Sequence, residues 1–232
     1  MTEYFVEKCK NFGLDVSKDN LSKFESLFEM LIEENKKYNL TAITEKDKVY
    51  LLHFLDSLSA SPFIPENSSL CDVGSGGGFP AIPLKLLRDD LSVIMTDSVT
   101  KKVNWLNAVC SHFSLQNCRA IHTRIEDFSR SDARESFDVV TARAVAKLNT
   151  LCEYCLPLVK IGGIFIAYKS FSEEELKESS NAINILGGKL KSVENVSVSD
   201  DYTRTLIIIE KIPQTPTKYP RGKNKERTNP IV

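Results

Sequence analysis

The chain has 232 residues, of which 42% are apolar and 26% are charged, and its formal net charge at pH 7 is −1. This length suits one core domain with additions, and the apolar fraction is sufficient to fill a core. No run of about 18 apolar residues is present, which predicts no membrane span. The N-terminus lacks a signal-peptide pattern and the six cysteines show no disulfide framework, so we expect a cytoplasmic protein.

Two amphipathic helices are predicted ahead of the first strand. Apolar residues recur at helical spacing within 18–38, and a second helix is expected over about 46–61, where Pro62 ends it. Short apolar strands and helices then alternate. The predicted strands are 69–73, 91–96, 119–122, 137–141, 164–168, 191–198 and 204–210. The predicted helices among them are 80–88, 99–113, a helix that contains Leu148 to Leu158, and 173–185.

Strand and helix alternation predicts an α/β fold with a doubly wound, mostly parallel sheet of seven strands. The last two strands are close in sequence, so we expect them to pair antiparallel and to leave one strand reversed. The predicted organisation is an N-terminal helical extension over 1–65, a core over 66–212 and a basic tail over 213–232.

Four glycines follow the first strand within five positions: Gly74, Gly76, Gly77 and Gly78. Such a turn allows positive φ and lets a ligand lie against bare backbone at the start of a helix. The next strand ends at Asp97, about 20 residues on, where an acid is placed to accept hydrogen bonds from both ribose hydroxyls. The two features together predict a cofactor that carries a nucleoside.

The nature of that cofactor depends on Asp72, which stands just before the glycines. A carboxylate beside the loop would repel the pyrophosphate of a nicotinamide cofactor. It would suit a cationic ligand such as the sulfonium and amino group of S-adenosylmethionine. A NAD-dependent dehydrogenase is therefore the weaker enzymatic alternative.

The C-terminal residues 211–232 include six basic residues and one acid, a net charge of +5, which leaves −6 for the first 210 residues. A basic tail on an acidic body favours contact with a polyanion, and its prolines pre-order an extended segment. The alternative is a solvated terminus.

No metal site is expected. His53, His112 and His122 lack ligand spacing, and Cys152 and Cys155 form a single C-x-x-C motif with no second pair of ligands.

An ordered set of short motifs resembles one family of bacterial enzymes. The motifs are Asn39-Leu40-Thr41, Asp56-Ser57-Leu58, D-V-G-S-G-G-G-F-P-A-I-P-L from Asp72, Asp97-Ser98, Lys101-Lys102, Arg124-Ile125-Glu126, Arg143-Ala144, Lys169, Arg221 and Asn229-Pro230. Together they resemble the 16S ribosomal RNA guanine-N7 methyltransferase G family, also called glucose-inhibited division protein B. That family belongs to the Rossmann-like methyltransferases that use S-adenosylmethionine. Ala81 and Ser170 depart from the pattern, where the family usually has glycine.

The resemblance implies methyl transfer from S-adenosylmethionine to N7 of a guanine in 16S ribosomal RNA, with the 30S subunit or its assembly intermediate as partner rather than a membrane or DNA. It implies a cofactor site and one catalytic residue, Arg143, at the end of the fourth strand. The implied cofactor-binding residues are Gly74, Gly76, Gly78, Phe79, Asp97, Ile125, Glu126 and Arg143. Phe79 has ordinary core packing as its alternative.

Arginine and lysine side chains supply the candidate RNA contacts, which are Arg124, Lys169, Arg204 and Arg221. Surface ion pairs are the alternative for each. Two other function classes stay open: a methyltransferase for a small molecule or protein, and a non-catalytic nucleotide-binding protein associated with the ribosome.

Overall fold

The computed structural model of the chain describes residues 2–170 and 172–232. The α-helices are α1 (Thr2–Asn11), α2 (Lys18–Tyr38), α3 (Lys46–Val49), α4 (Asp56–Leu58), α5 (Ala81–Leu87), α6 (Thr100–His112), α7 (Ile125–Phe128), α8 (Leu148–Cys155), α9 (Glu173–Ile185) and α10 (Lys225–Thr228). The strands are β1 (Ser69–Val73), β2 (Ser92–Asp97), β3 (Cys118–His122), β4 (Phe137–Arg143), β5 (Val159–Lys169), β6 (Gly188–Ser199) and β7 (Tyr202–Lys211). No helix in the described part of the chain is both long and apolar enough to cross a bilayer.

The seven strands form one sheet in the order β3-β2-β1-β4-β5-β7-β6. Neighbours from β3 to β5 are parallel, whereas β7 pairs antiparallel with both β5 and β6. The predicted mostly parallel seven-stranded sheet with one reversed strand is therefore confirmed. In the middle of the sheet, Val73 at the end of β1 is level with Thr96 of β2 and Ala142 of β4.

Alternate residues of each strand pack against a different helical layer, as the period of two requires. On one face, Leu70 and Val139 belong to the apolar cluster that contains the N-terminal helices and α5 and α6. On the other face, Cys71 and Val140 pack with α8 and α9. The result is a sheet with helices on both sides, and the first sixty residues cover one of those sides.

The predicted helix over 46–61 is present in the structure, but it is not a regular α-helix along its whole length. Its centre, Tyr50–Leu55, is π-helical and lies between α3 and α4. Hydrophobic spacing does not distinguish i→i+4 from i→i+5 hydrogen bonds, so the sequence could not reveal this segment. Helix α1 also has too few core residues to be predicted from periodicity, because only Phe5 and Cys9 are buried in it.

The segment 213–232 is not a free terminus, because it is packed against the core. Tyr219 is buried with the α8 and α9 cluster. The guanidinium of Arg221 donates from Nη2 to Glu153 Oε2 at 2.8 Å and from Nε to Oε1 at 2.9 Å. The Arg134 guanidinium donates to the carbonyls of Thr215 at 2.7 Å and Tyr219 at 2.9 Å. Many polar groups of the tail are therefore bonded within the protein.

Asp72 is an acidic residue buried in the centre of the sheet. Its Oδ1 accepts a hydrogen bond from Thr141 Oγ1 at 2.7 Å, and its Oδ2 has no hydrogen-bond partner among the described residues. Burial raises the pKa of this carboxyl from its ordinary value to about 6, although the hydrogen bond from Thr141 and the charge of Arg143 oppose the shift. The folded protein thus contains a carboxylate that is costly to ionise.

We expect Asp72→Asn to stabilise the protein at neutral pH. The folded-state pKa is raised above the unfolded one, so ionisation penalises folding above pH 6 and not below about pH 4. A rise in the pKa from 3.8 to about 6 corresponds to about 3 kcal/mol in the free energy of unfolding. Thermal melting from pH 4 to 7.5 should show a gain that grows with pH, whereas the exposed control Asp200→Asn should show none. A gain that is independent of pH would contradict this account.

A second prediction concerns the anchor of the tail. Arg221→Ala should lower the free energy of unfolding by about 2 kcal/mol, because the fully buried Glu153 carboxylate loses its charged partner. Lys223→Ala, an exposed change in the same segment, is the matched control and should have little effect. Urea denaturation of both variants measures the difference, and equal midpoints would show that the ion pair does not hold the tail.

Candidate active site

A cleft of about 620 Å³ opens at the carboxyl edge of the parallel strands. It crosses the ends of β1, β2 and β4, which is the switch point where the strand order changes direction. Open α/β sheets place their ligands at this point, and the volume is ordinary for a small-molecule site. Its walls include Gly74, Asp97, Ile125, Glu126, Tyr154 and Arg227.

The glycine loop between β1 and α5 has a backbone that other residues rarely adopt. The φ angle is +69° at Gly74 and +103° at Gly78. A Cβ at Gly74 would come within 2.8 Å of Val145 Cγ2, and one at Gly78 within 2.8 Å of Ile82 Cγ1. Both positions therefore require glycine for φ and for space.

The Asp97 carboxylate, at the end of β2, is oriented by the loop. Its Oδ2 accepts from the N–H of Gly76 at 3.0 Å, and its Oδ1 accepts from the N–H of Val99 at 2.9 Å. The Lys102 ammonium is 3.9 Å from Oδ2. Because a carboxylate has about four acceptor positions, Asp97 can still accept hydrogen bonds from a ligand in the cleft.

Two more of the predicted cofactor-binding residues line the cleft. Ile125 and Glu126 begin the short helix α7, which follows β3. The Arg124 side chain is 74% exposed and its Nη1 is 4.0 Å from Glu126 Oε1. The structure thus brings together Gly74, Asp97 and these residues, which come from three separate turns of the chain.

Phe79 and Arg143 belong to a second cluster and are not among the cleft-lining residues that the structure describes. The Phe79 ring stacks on the His53 ring with centroids 4.5 Å apart, and the Arg143 guanidinium lies 5.3 Å from its centroid. Phe79 also contacts Phe54, and its side chain is buried in the core. The cluster thus joins the ends of the glycine loop and of β4 to the π-helical segment Tyr50–Leu55, which contains His53 and Phe54.

The buried Asp56 carboxylate organises that second cluster. Its Oδ2 accepts from Arg143 Nη1 at 2.7 Å and from Arg204 Nη2 at 3.1 Å, and its Oδ1 accepts from Arg204 Nε at 2.6 Å. The Tyr202 hydroxyl adds a hydrogen bond to Oδ1 at 3.2 Å. Two guanidinium groups on one carboxylate leave the cluster with an excess positive charge.

His53 also belongs to this cluster, and the sequence did not predict a chemical role for it. Burial and the neighbouring Arg143 lower the pKa of its imidazole to about 4, so the ring is neutral at pH 7. Its Nδ1 is 3.3 Å from Arg143 Nη2, and its Nε2 is 2.7 Å from Thr41 Oγ1. The spacing of His53 and Asp56 was a usable signal, because residues three apart share a helix face.

Asp72 lies close enough to both groups of residues for Arg143 and Asp97 to act on its carboxyl electrostatically. It is fully buried behind the loop and is not among the residues that line the cleft. The lining begins one residue later, at Val73, where β1 ends. Its charge acts on the site through space.

The four predicted RNA-contact residues have different surroundings. Arg124 is exposed at the mouth of the cleft. The other three form ion pairs: Lys169 with Glu175 at 2.6 Å, Arg204 with Asp56 and Arg221 with Glu153. Their RNA contacts stay predictions, and each of these three also has a partner within the protein.

The cleft lining includes residues that the sequence did not predict, among them Tyr154 of α8 and Asn224 and Arg227 of the tail. The basic composition of the tail was the available signal, and it pointed to a polyanion rather than to this cleft. No group of three or more His, Cys, Asp or Glu within residues 2–170 and 172–232 is arranged as a metal site.

Comparisons with known proteins agree on one family. The profile of the family described as rRNA small subunit methyltransferase G (GidB) matches residues 20–206. A protein of that name from Staphylococcus carnosus strain TM300 is 44% identical, over 99% of this chain and 98% of its own length. Another from Lachnoclostridium phytofermentans is 46% identical, over 98% of this chain and 96% of its own length.

A solved structure supports the fold. The ribosomal protein L11 methylase from Lactobacillus delbrueckii subsp. bulgaricus superposes with a TM-score of 0.53 at 16% identity, covering 74% of this chain and 81% of that one. A likeness at this identity concerns the Rossmann-like architecture alone. From the profile and the full-length relatives, the chain belongs to the rRNA small subunit methyltransferase G family and is a methyltransferase.

Proposed function

We propose that this enzyme transfers a methyl group from S-adenosylmethionine to N7 of a guanine in 16S ribosomal RNA. The name of its relatives supports small-subunit ribosomal RNA as the substrate. The observation that carries the proposal is the position of Asp97, held by the glycine loop in a cleft at the switch point of the sheet. A ribosomal substrate also implies action in the cytoplasm.

The residues of the cleft fit an adenosyl cofactor. Asp97 has acceptor positions for two ribose hydroxyls, and Ile125 with Glu126 offers an apolar contact and an acceptor for the adenine amino group. Gly74 and Val145 line the same cleft, and Val145 occupies the space that a side chain at position 74 would need. The buried Asp72 carboxylate would favour the positive sulfonium group electrostatically. When bound, this cofactor supplies an electrophilic methyl group.

The nucleophile in this proposal needs no general base. Guanine N7 has an in-plane lone pair and carries no proton, so the enzyme acts by alignment and electrostatics. Arg143 serves this role at the end of β4. Hydrogen bonds to Leu52 O, Asp56 and His53 use three of its five N–H donors. The remaining two donors can bind an acceptor, either guanine O6 or the cofactor carboxylate.

Electrostatic attraction of RNA begins with Arg124 in this proposal. Its side chain is 74% exposed beside the cleft, so it can reach a phosphate without losing a buried partner. Lys169, Arg204 and Arg221 are proposed as further RNA contacts. Their ion pairs with Glu175, Asp56 and Glu153 fix the position of each cation.

The function is tested by incubating the protein with methyl-labelled S-adenosylmethionine and 30S subunits that lack the modification. The ribosomal RNA is then digested and the labelled nucleoside identified. Label in 7-methylguanosine at one position supports the proposal. Label in a protein or small molecule, with none in RNA, would overturn the substrate and favour the alternative methyltransferase.

We expect Arg143→Ala to reduce methyl transfer by at least about 100-fold while the protein remains folded. Asp56 keeps Arg204 and Tyr202 as partners in this variant, so no buried charge is left alone. Arg143→Lys should also be impaired, because lysine lacks the planar fork. The KM for each substrate distinguishes the two acceptors, since a rise for 30S indicates guanine and a rise for the cofactor indicates its carboxylate.

Lys36→Ala, an exposed change on α2, is the control for that experiment and should keep full activity. Wild-type methyl transfer by Arg143→Ala would remove this residue from the reaction.

We also expect Asp97→Asn to weaken cofactor binding by about tenfold, because the charged acceptor for the ribose hydroxyls is lost. Isothermal titration with S-adenosylhomocysteine measures this directly. Asp200→Asn removes an equal charge from a side chain that is 93% exposed and should bind like the wild type. Equal affinities for all three proteins would exclude Asp97 from the cofactor site.

A further inference from the structure

The last residues of the chain form part of the cleft. Asn224 and Arg227 line it together with Tyr154, Ala144 and Val145. Both tail residues lie beyond residue 206, where the match to the family profile ends. Arg227 Nη2 is 3.4 Å from the carbonyl oxygen of Val145, and the side chain of Val145 packs beside Gly74. The tail therefore meets the turn after β4 next to the glycine loop.

This position is held by buried contacts. Glu226 is fully buried and accepts from the N–H of Gly222, and its carbonyl accepts from Thr150 Oγ1 at 2.8 Å. The Arg221 and Glu153 ion pair fixes the residue just before this turn. Both contacts are made to α8, and they lie on either side of Asn224 in the chain. The cleft-lining side chains of the tail therefore extend from a backbone that is held in place.

We propose that residues 222–228 are a wall of the cofactor site and that Arg227 contacts the adenosine part of the ligand. This inference rests on the proposed function, because it takes S-adenosylmethionine as the occupant. Arg227 faces the same space as Ile125 and Glu126, which the proposal gives to adenine. The guanidinium plane stacks well on aromatic bases and donates to ring nitrogens, which are acceptors.

A consequence is that cofactor binding and docking of the tail are linked. A ligand that contacts Arg227 stabilises the docked tail by the same free energy that the docked tail adds to ligand affinity. The positive charge of Arg227 then acts on the cofactor, although composition alone had indicated a polyanion for this segment.

The test is titration of S-adenosylhomocysteine into Arg227→Ala by calorimetry, without RNA. We expect affinity to fall about fivefold, which corresponds to the loss of one contact. Lys225→Ala is the matched control, because it removes the same charge from the same helix α10 but lies outside the cleft lining. It should bind within twofold of the wild type.

Asn224→Gly provides a second variant in case Arg227→Ala does not fold. Asn224 has a φ of +61°, which glycine adopts freely, so only the side chain is lost. Weakened binding by either cleft variant, with Lys225→Ala unchanged, supports the inference. Wild-type affinity in every folded variant overturns it and leaves the proposed function intact. Failure of the wild-type protein itself to bind the ligand overturns both the cofactor assignment and this inference.

Discussion

One buried carboxylate, Asp56, holds the N-terminal helices to the sheet at the edge where the site lies. It follows the π-helical turn and accepts hydrogen bonds from Arg143 at the end of β4 and from Arg204 on β7. Without it, two guanidinium groups that are almost wholly buried would face one another without compensation, which is far costlier than the pair itself is stabilising. Segments separated by nearly 150 residues are therefore brought to one point by a single charge.

The glycine loop connects this cluster with the cleft. On one side Phe79, the residue after the loop, stacks on His53 and lies against Arg143. On the other side the loop amide of Gly76 orients Asp97. Trp105 also supports the loop, because its Nε1–H donates a hydrogen bond to the carbonyl oxygen of Gly77 at 3.0 Å. A rigid loop of this kind keeps charged groups in place before a ligand arrives, which is how a site can act by alignment.

Local pattern was sufficient for most of the fold and for the residues closest to the glycine turn. Apolar strands of four to eight residues, the helix over 18–38 and the acid at Asp97 follow from periodicity and spacing that neighbouring residues alone determine. The π-helical turn and the four-residue helices α7 and α10 did not, because so few residues carry no periodic signal. The partners of Arg204 and Arg221 were equally hidden, since each lies far away in the chain.

The sequence by itself determined the family, the doubly wound sheet with one reversed strand, and the glycine turn and Asp97 that stand at the switch point. Only the tertiary structure decided which charges are paired and which are exposed. It separated Arg143 from the cleft wall, buried Asp72 behind the loop, and brought Arg227 of the tail into the cleft. The physical reason is that backbone pattern depends on adjacent residues, whereas the pairing of a charge depends on whichever distant side chain shares its burial.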